Sequence, residues 1–170
     1  FNPQTEKAST EFAAISKEHV EKRRAAEQLR IKIGTLVSFA EMVAPVISQR
    51  CLACHNARTA KGRYNMETFA GIVKGGESGD AVEAGDADSS TMVALIEDGS
   101  RPKDADPLTA EQIESIKKWI NTGAILDAGF SPRAPLIQIM PKLPQPPAPE
   151  SYPVAIPITA VAFSPDGNTL

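Results

Sequence analysis

Cys51-Leu52-Ala53-Cys54-His55 holds both cysteines of the 170-residue chain and one of its two histidines. Two thiols three residues apart on a helical turn can add to the two vinyl groups of one haem, and the adjacent imidazole then lies under the iron. The pentapeptide therefore reads as a c-type haem attachment site, with Cys51 and Cys54 as the thioether donors, His55 as iron ligand and one haem per chain. Two other readings use the same residues. A zinc knuckle wants four ligands from Cys and His and commonly shows a second pair, for which only His19 remains. A thioredoxin-like redox pair expects its cysteines at a helix start after a strand. Here Val43-Ala44-Pro45-Val46-Ile47 reads instead as a short helix running into the motif.

Composition limits what surrounds the motif. Ten of the fourteen prolines lie beyond residue 131, so one small domain with extensions fits better than a single domain of ordinary size. The net charge of -3 leaves no general basic surface of the kind that binds nucleic acid. Aromatic residues make up 5% of the chain, few for a sizeable core, and a large flat cofactor would fill that deficit. No apolar run approaches the length of a transmembrane helix. Compartment follows from the haem: attachment is completed outside the cytoplasm on cysteines kept reduced until they react, which points to the periplasm or its equivalent.

Helix signals recur through the middle of the chain. Residues 5–33 are rich in strong helix formers with a weak apolar face, predicting a solvated N-terminal helix or arm ended by Gly34. Ser38-Phe39-Ala40-Glu41 matches a capping box, and Pro45 either kinks the following helix or begins it. Thr68 to Lys74 reads as a helix closed by Gly75-Gly76, and Ser89 or Ser90 can cap a helix carrying Met92, Val93, Leu95 and Ile96. Thr109-Ala110-Glu111-Gln112 is a second capping box, followed by Ile113, Ile116 and Ile120 at helical spacing with Trp119 beside them. Four or five short helices and no strand ladder predict an all-α haem domain.

Together these stretches resemble the cytochrome c domain of planctomycete-type c-type cytochromes, a branch of the class I cytochrome c fold. The resemblance spans about residues 37–128 and rests on Val43 to Ile47 with Cys51 to His55, Lys61-Gly62, Lys74-Gly75-Gly76-Glu77-Ser78-Gly79, Gly85-Asp86, Pro107-Leu108-Thr109, and Trp119-Ile120 with Gly123-Ala124. It implies a bundle of short helices around one covalent haem, the entering helix and the Trp119 helix crossing to hold it. A second resemblance, at Ile158-Thr159-Ala160-Val161-Ala162-Phe163-Ser164-Pro165-Asp166-Gly167, is to the opening of a WD40 propeller blade. The expected organisation is an N-terminal arm (1–35), a cytochrome domain (36–128), a proline-rich linker (129–157) and the start of a blade (158–170), with the rest of a propeller on the same polypeptide.

The resemblance also exposes a departure. Members with this layout commonly carry Met-Pro-Pro before the Pro-Leu-Thr of the last helix, and that methionine is the sixth iron ligand. Arg101-Pro102-Lys103 stands in its place, and a guanidinium cannot coordinate iron. Met92, on the helix that the resemblance puts beside the distal side, is the first replacement candidate; Met66, Lys103 and His19 are others, while Met42 and Met140 are misplaced for the role. The function expected is single-electron transfer to a weakly docked redox partner protein by a non-catalytic mono-haem module. The alternative is a haem sensor with an open or displaceable sixth position. No serine triad, second metal cluster or phosphate loop competes with these readings.

Overall fold

The computed structural model describes residues 3–142; the blade-like segment at 158–170 and the linker beyond residue 142 lie outside the described residues. Helix α1 runs from Pro3 to Lys32 and ends where Gly34 takes a left-handed turn at φ 76°. The first capping box forms in part: the Ser38 hydroxyl accepts the Glu41 N–H at 3.1 Å. The chain then makes one π-helical turn, Phe39–Val43, before settling into α2, Ala44–Arg50. Pro45 thus begins the α-helix rather than kinking it, because in the first turn its missing N–H has no intrahelical partner to lose.

Four more helices follow: α3 (Phe69–Lys74), α4 (Thr91–Glu97), α5 (Ala110–Asn121) and the single turn α6 (Leu136–Ile139). Each start has a local cause. Thr68 caps α3 through Gly71 N–H, and Thr109 and Gln112 complete the reciprocal capping box of α5. Ser90 stands at the cap of α4, but its hydroxyl serves the preceding turn, donating to Asp86 O and accepting from Glu83 N–H at 2.8 Å each. Among the described residues there is no strand, only isolated bridges pairing Thr68 with Pro135 and Gly76 with Gly79. The fold is small and all-α, as a cytochrome-like domain requires.

The core gathers where the π turn, α2, α4 and α5 meet. Phe39, Phe69 and Trp119 form an aromatic centre with centroids 5.1 to 6.2 Å apart, and the indole N–H of Trp119 donates to Ile125 O. Ile47, Ile72, Ile116 and Ile120 close around it. The stretch expected to start a linker at residue 129 keeps packing as far as Ile139. Ala70 N–H donates to Pro132 O, Leu136 N–H to Glu67 O, and Leu136 and Ile139 are buried.

Helix α1 docks on this body through a clasp. Glu27 accepts Ala128 N–H at 2.6 Å while also pairing with Arg23, and the Arg24 guanidinium reaches Ala128 O. Much of the helix stays in solvent, with Phe12, Ile15, Leu29 and Ile33 exposed.

Candidate haem-attachment site

Helix α2 ends at Arg50, and the chain continues in tight turns through the motif. Cys51 N–H still bonds to Ile47 O, then Cys54 N–H and His55 N–H both turn back onto Cys51 O at 3.1 and 3.0 Å. One turn therefore presents both thiols and the imidazole. The next loop is pinned onto it: Lys61 N–H donates to Cys54 O at 3.1 Å and Met66 N–H to His55 O at 2.8 Å. Asn56 stiffens the exit, its amide donating to Leu52 O and its oxygen accepting from Arg58 and Thr59 N–H.

Both cysteines are free thiols in a half-buried setting. Burial pushes the Cys51 thiol up to about 11, only partly opposed by the neighbouring Arg50 charge. Tyr64 packs beside the imidazole, ring centroids 5.4 Å apart, and donates its hydroxyl to Ile72 O. Its phenol is raised, first by burial and then by nearness to Cys51.

Whether haem suits these residues can be tested on what they leave unsatisfied. Among the described residues two buried side-chain polar atoms lack a hydrogen-bond partner, Arg50 Nε and His55 Nδ1, and they flank the two thiols. Buried polar atoms are nearly always paired, so two orphans bracketing one motif mark a place built for a further group. The donor set agrees: two unpaired thiols and an imidazole that makes no hydrogen bond among those described. Two cavities of about 440 and 330 Å³ lie against α1 and are lined by none of Cys51, Cys54, His55 or Met92. The fit of a haem is thus carried by the donor set and the orphaned atoms, not by an enclosed void.

The candidates for the sixth ligand separate by burial. Met92 is buried on α4, its N–H held by Ala81 O; Met66 is buried beside the motif through its bond to His55 O. Lys103 and His19 are exposed, the latter on α1. Arg101 is also exposed, with its guanidinium turned to its neighbour's carbonyl at Ser100, 2.7 Å away.

One residue escaped the sequence reading altogether. Arg50 Nη2 donates to the carbonyls of Asp106 and Pro107, tying the loop before α5 to the residue next to Cys51. Partners 56 and 57 positions away leave no local signal.

A small helical body that carries a Cys-x-x-Cys-His turn with free thiols has the form of a c-type cytochrome domain. Residues 51–103 match the family described as Planctomycete cytochrome C. The matched stretch takes in the motif, the pinned loop, α3 and α4. Domains of cytochrome c type carry covalent haem, usually act in electron transfer rather than as enzymes, and are typically extracytoplasmic. No curated protein and no solved structure matches the chain. No helix among the described residues is long and apolar enough to cross a membrane.

Proposed function

We propose that the chain is a mono-haem c-type cytochrome module that passes single electrons to a redox partner in the periplasm or an equivalent compartment. The observation that carries the proposal is the motif turn itself, two free thiols with an orphaned polar atom on each side, Arg50 Nε before them and Nδ1 of the His55 imidazole after them. A haem held there supplies a one-electron iron couple. The chain's own residues do the rest. Cys51 and Cys54 would hold the porphyrin through thioethers and His55 would ligate the iron, with Met66 and Tyr64 bracing the histidine. The unit comprises residues 36–139, because Leu136 and Ile139 are buried in its core, with the arm 1–35.

Met92 is the sixth ligand in this proposal. Of the four candidates, Lys103 and His19 stand in solvent, and Met66 is tied to the backbone of the proximal histidine itself. Met92 is left as the buried thioether on a separate helix. A soft sulfur ligand favours the reduced iron and low-spin exchange suited to electron transfer.

The test begins with attachment. Wild-type protein matured with haem keeps its haem through denaturation and acid extraction, and changing Cys51 and Cys54 together to Ala abolishes that retention. Haem surviving extraction in the double variant overturns the assignment. The ferric protein shows a methionine-to-iron charge-transfer band that Met92→Ala removes; persistence of the band eliminates Met92. The sensor alternative, favoured by the loss of the usual methionine at Arg101, requires untreated ferrous protein to bind carbon monoxide rapidly and tightly, and the electron carrier does not.

A further inference from the structure

The chain's charge is divided in an unusual way around the motif. Between Glu41 and Glu67 there is no carboxylate, while Arg50, Arg58, Lys61 and Arg63 all fall there. A segment of net charge +4 therefore sits in a chain of formal net charge -3, leaving -7 on the remainder.

Geometry turns this sequence asymmetry into a surface beside the haem residues. Arg58, Lys61 and Arg63 are exposed, and none joins an ion pair among the described residues. Their loop is fastened to the motif at two points, Lys61 N–H on Cys54 O and Met66 N–H on His55 O. It also holds three left-handed residues within four positions, Ala60 at φ 37°, Gly62 at φ 67° and Arg63 at φ 52°. For residues other than glycine such backbone is strained and survives only where surrounding bonds impose it. Here Arg63 N–H to Ala60 O, and Glu77 N–H to Gly62 O at 2.8 Å, impose it. Glu77 borders the loop, its Oε1 3.8 Å from where a Cβ on Gly62 would stand.

We propose that the 58–63 loop is the docking face for an acidic patch on the partner protein that exchanges electrons with the haem held at Cys51, Cys54 and His55. This rests on the cytochrome reading above and names the partner's chemistry. Other anionic surfaces fit less well. Tyr64, the one aromatic residue of the segment, is half-buried with its hydroxyl committed to Ile72 O, so there is no stacking platform for nucleic acid. None of the large exposed apolar side chains lies between residues 56 and 63, so nothing there inserts into lipid. Local charge of one sign at a redox edge steers the partner and fixes its register even when the molecule's net charge has the opposite sign.

The test uses the haem-loaded protein and two small one-electron probes of opposite charge. Ferrous protein gives up a single electron to ferricyanide or to hexaammineruthenium(III), with no proton moved and no bond broken. Rate constants are measured against ionic strength. The expected result is a ferricyanide rate that falls as salt rises and a hexaammineruthenium rate that does not, despite the protein's negative net charge. Reversing Arg58, Lys61 and Arg63 together to Glu lowers the ferricyanide rate at low salt about tenfold, and the milder triple change to Gln moves it the same way by less. The control reversals Lys22→Glu, Arg30→Glu and Lys32→Glu on α1 add equal negative charge and change it little. A ferricyanide rate that rises with salt, or that responds equally to both sets of reversals, overturns the docking face. Salt-sensitive retention on phosphatidylglycerol vesicles, lost in the loop variants, overturns it in favour of a lipid surface. Failure to exchange electrons with either probe brings down the cytochrome reading as well.

Discussion

At the scale of single residues, one demanding position near the site is a glycine. A Cβ on Gly76 would stand 2.5 Å from Gly62 O and 2.9 Å from Tyr64 Cβ, both parts of the loop that braces the motif. Neither neighbour is the free end of a side chain, so the backbone itself must move. Gly76→Ala is expected to destabilise the domain by about 1 to 3 kcal/mol, the usual cost of overpacking. It should also displace Tyr64 from the imidazole of His55, visible as a shifted haem spectrum at temperatures well below melting. A melting temperature and spectrum equal to wild type would show that the loop is slack. The Cys51 thiol belongs to the same scale. Burial outweighs the adjacent guanidinium, so in reduced, haem-free protein the thiol is mostly protonated at neutral pH, and reactivity comes from presentation rather than from a lowered pKa.

At the scale of elements, α4 depends on the turn before it. The Asp86 carboxylate accepts both the N–H and the hydroxyl of Ser89, which holds its pKa below the ordinary 3.8. A carboxyl depressed in the folded state contributes stability above its unfolded pKa and loses it as pH falls through the lower folded value. The stability contributed by this turn is therefore present above about pH 4 and drains away below it, and Asp86→Asn should flatten the acid limb of a melting-temperature profile. Ser90, buried beneath it, bonds Glu83 N–H and Asp86 O. Ser90→Ala strands both groups and is expected to cost about 1 to 3 kcal/mol. Because Met92 is two residues on, the same change should weaken the methionine-to-iron band in proportion; a full-strength band after the loss of stability would separate Met92 from the iron.

The elements also show which parts of the molecule could be read from the chain. Thr109 with Gln112, Thr68 and Gly34 act within a few residues of themselves, so the starts of α3 and α5 and the end of α1 were legible. The candidate attachment residues Cys51, Cys54 and His55 were found for the same reason: both thiols and the imidazole are close in sequence, and one turn brings them together. Helix α6 was not, because a single turn in a proline-rich stretch has no periodicity, and its burial comes from Glu67 and α2 far upstream. Arg50 was missed because its carbonyl partners belong to another loop. The distal side stayed open, since candidates spread from His19 to Lys103 are ordered only by burial, which the chain does not spell out.

At the scale of the whole molecule, the coupling between α1 and the haem body decides how the protein unfolds. Trp119 is the single tryptophan and has no exposed surface, so its emission reports the core, and a haem attached at Cys51 and Cys54 as proposed would quench it by energy transfer. Helix α1 holds 30 residues, nearly half of the described α-helical ones, and so carries a large share of the far-ultraviolet helical signal. Its attachment is slight by comparison: Glu27 and Arg24 bonded to Ala128, with Val20 and Ile31 half-buried. A solvated helix with so little packing is only marginally stable alone, because helical stability in proteins comes chiefly from a packed face. Urea should therefore melt the molecule in two steps, the helical signal falling first and Trp119 emission rising later, in departure from two-state behaviour. Glu27→Ala strands Ala128 N–H and frees Arg23, so it should move the first transition to lower urea and leave the second almost in place. Coincident transitions in wild type, unaltered by Glu27→Ala, would instead make α1 an integral part of the haem body, held by more than the clasp at Ala128.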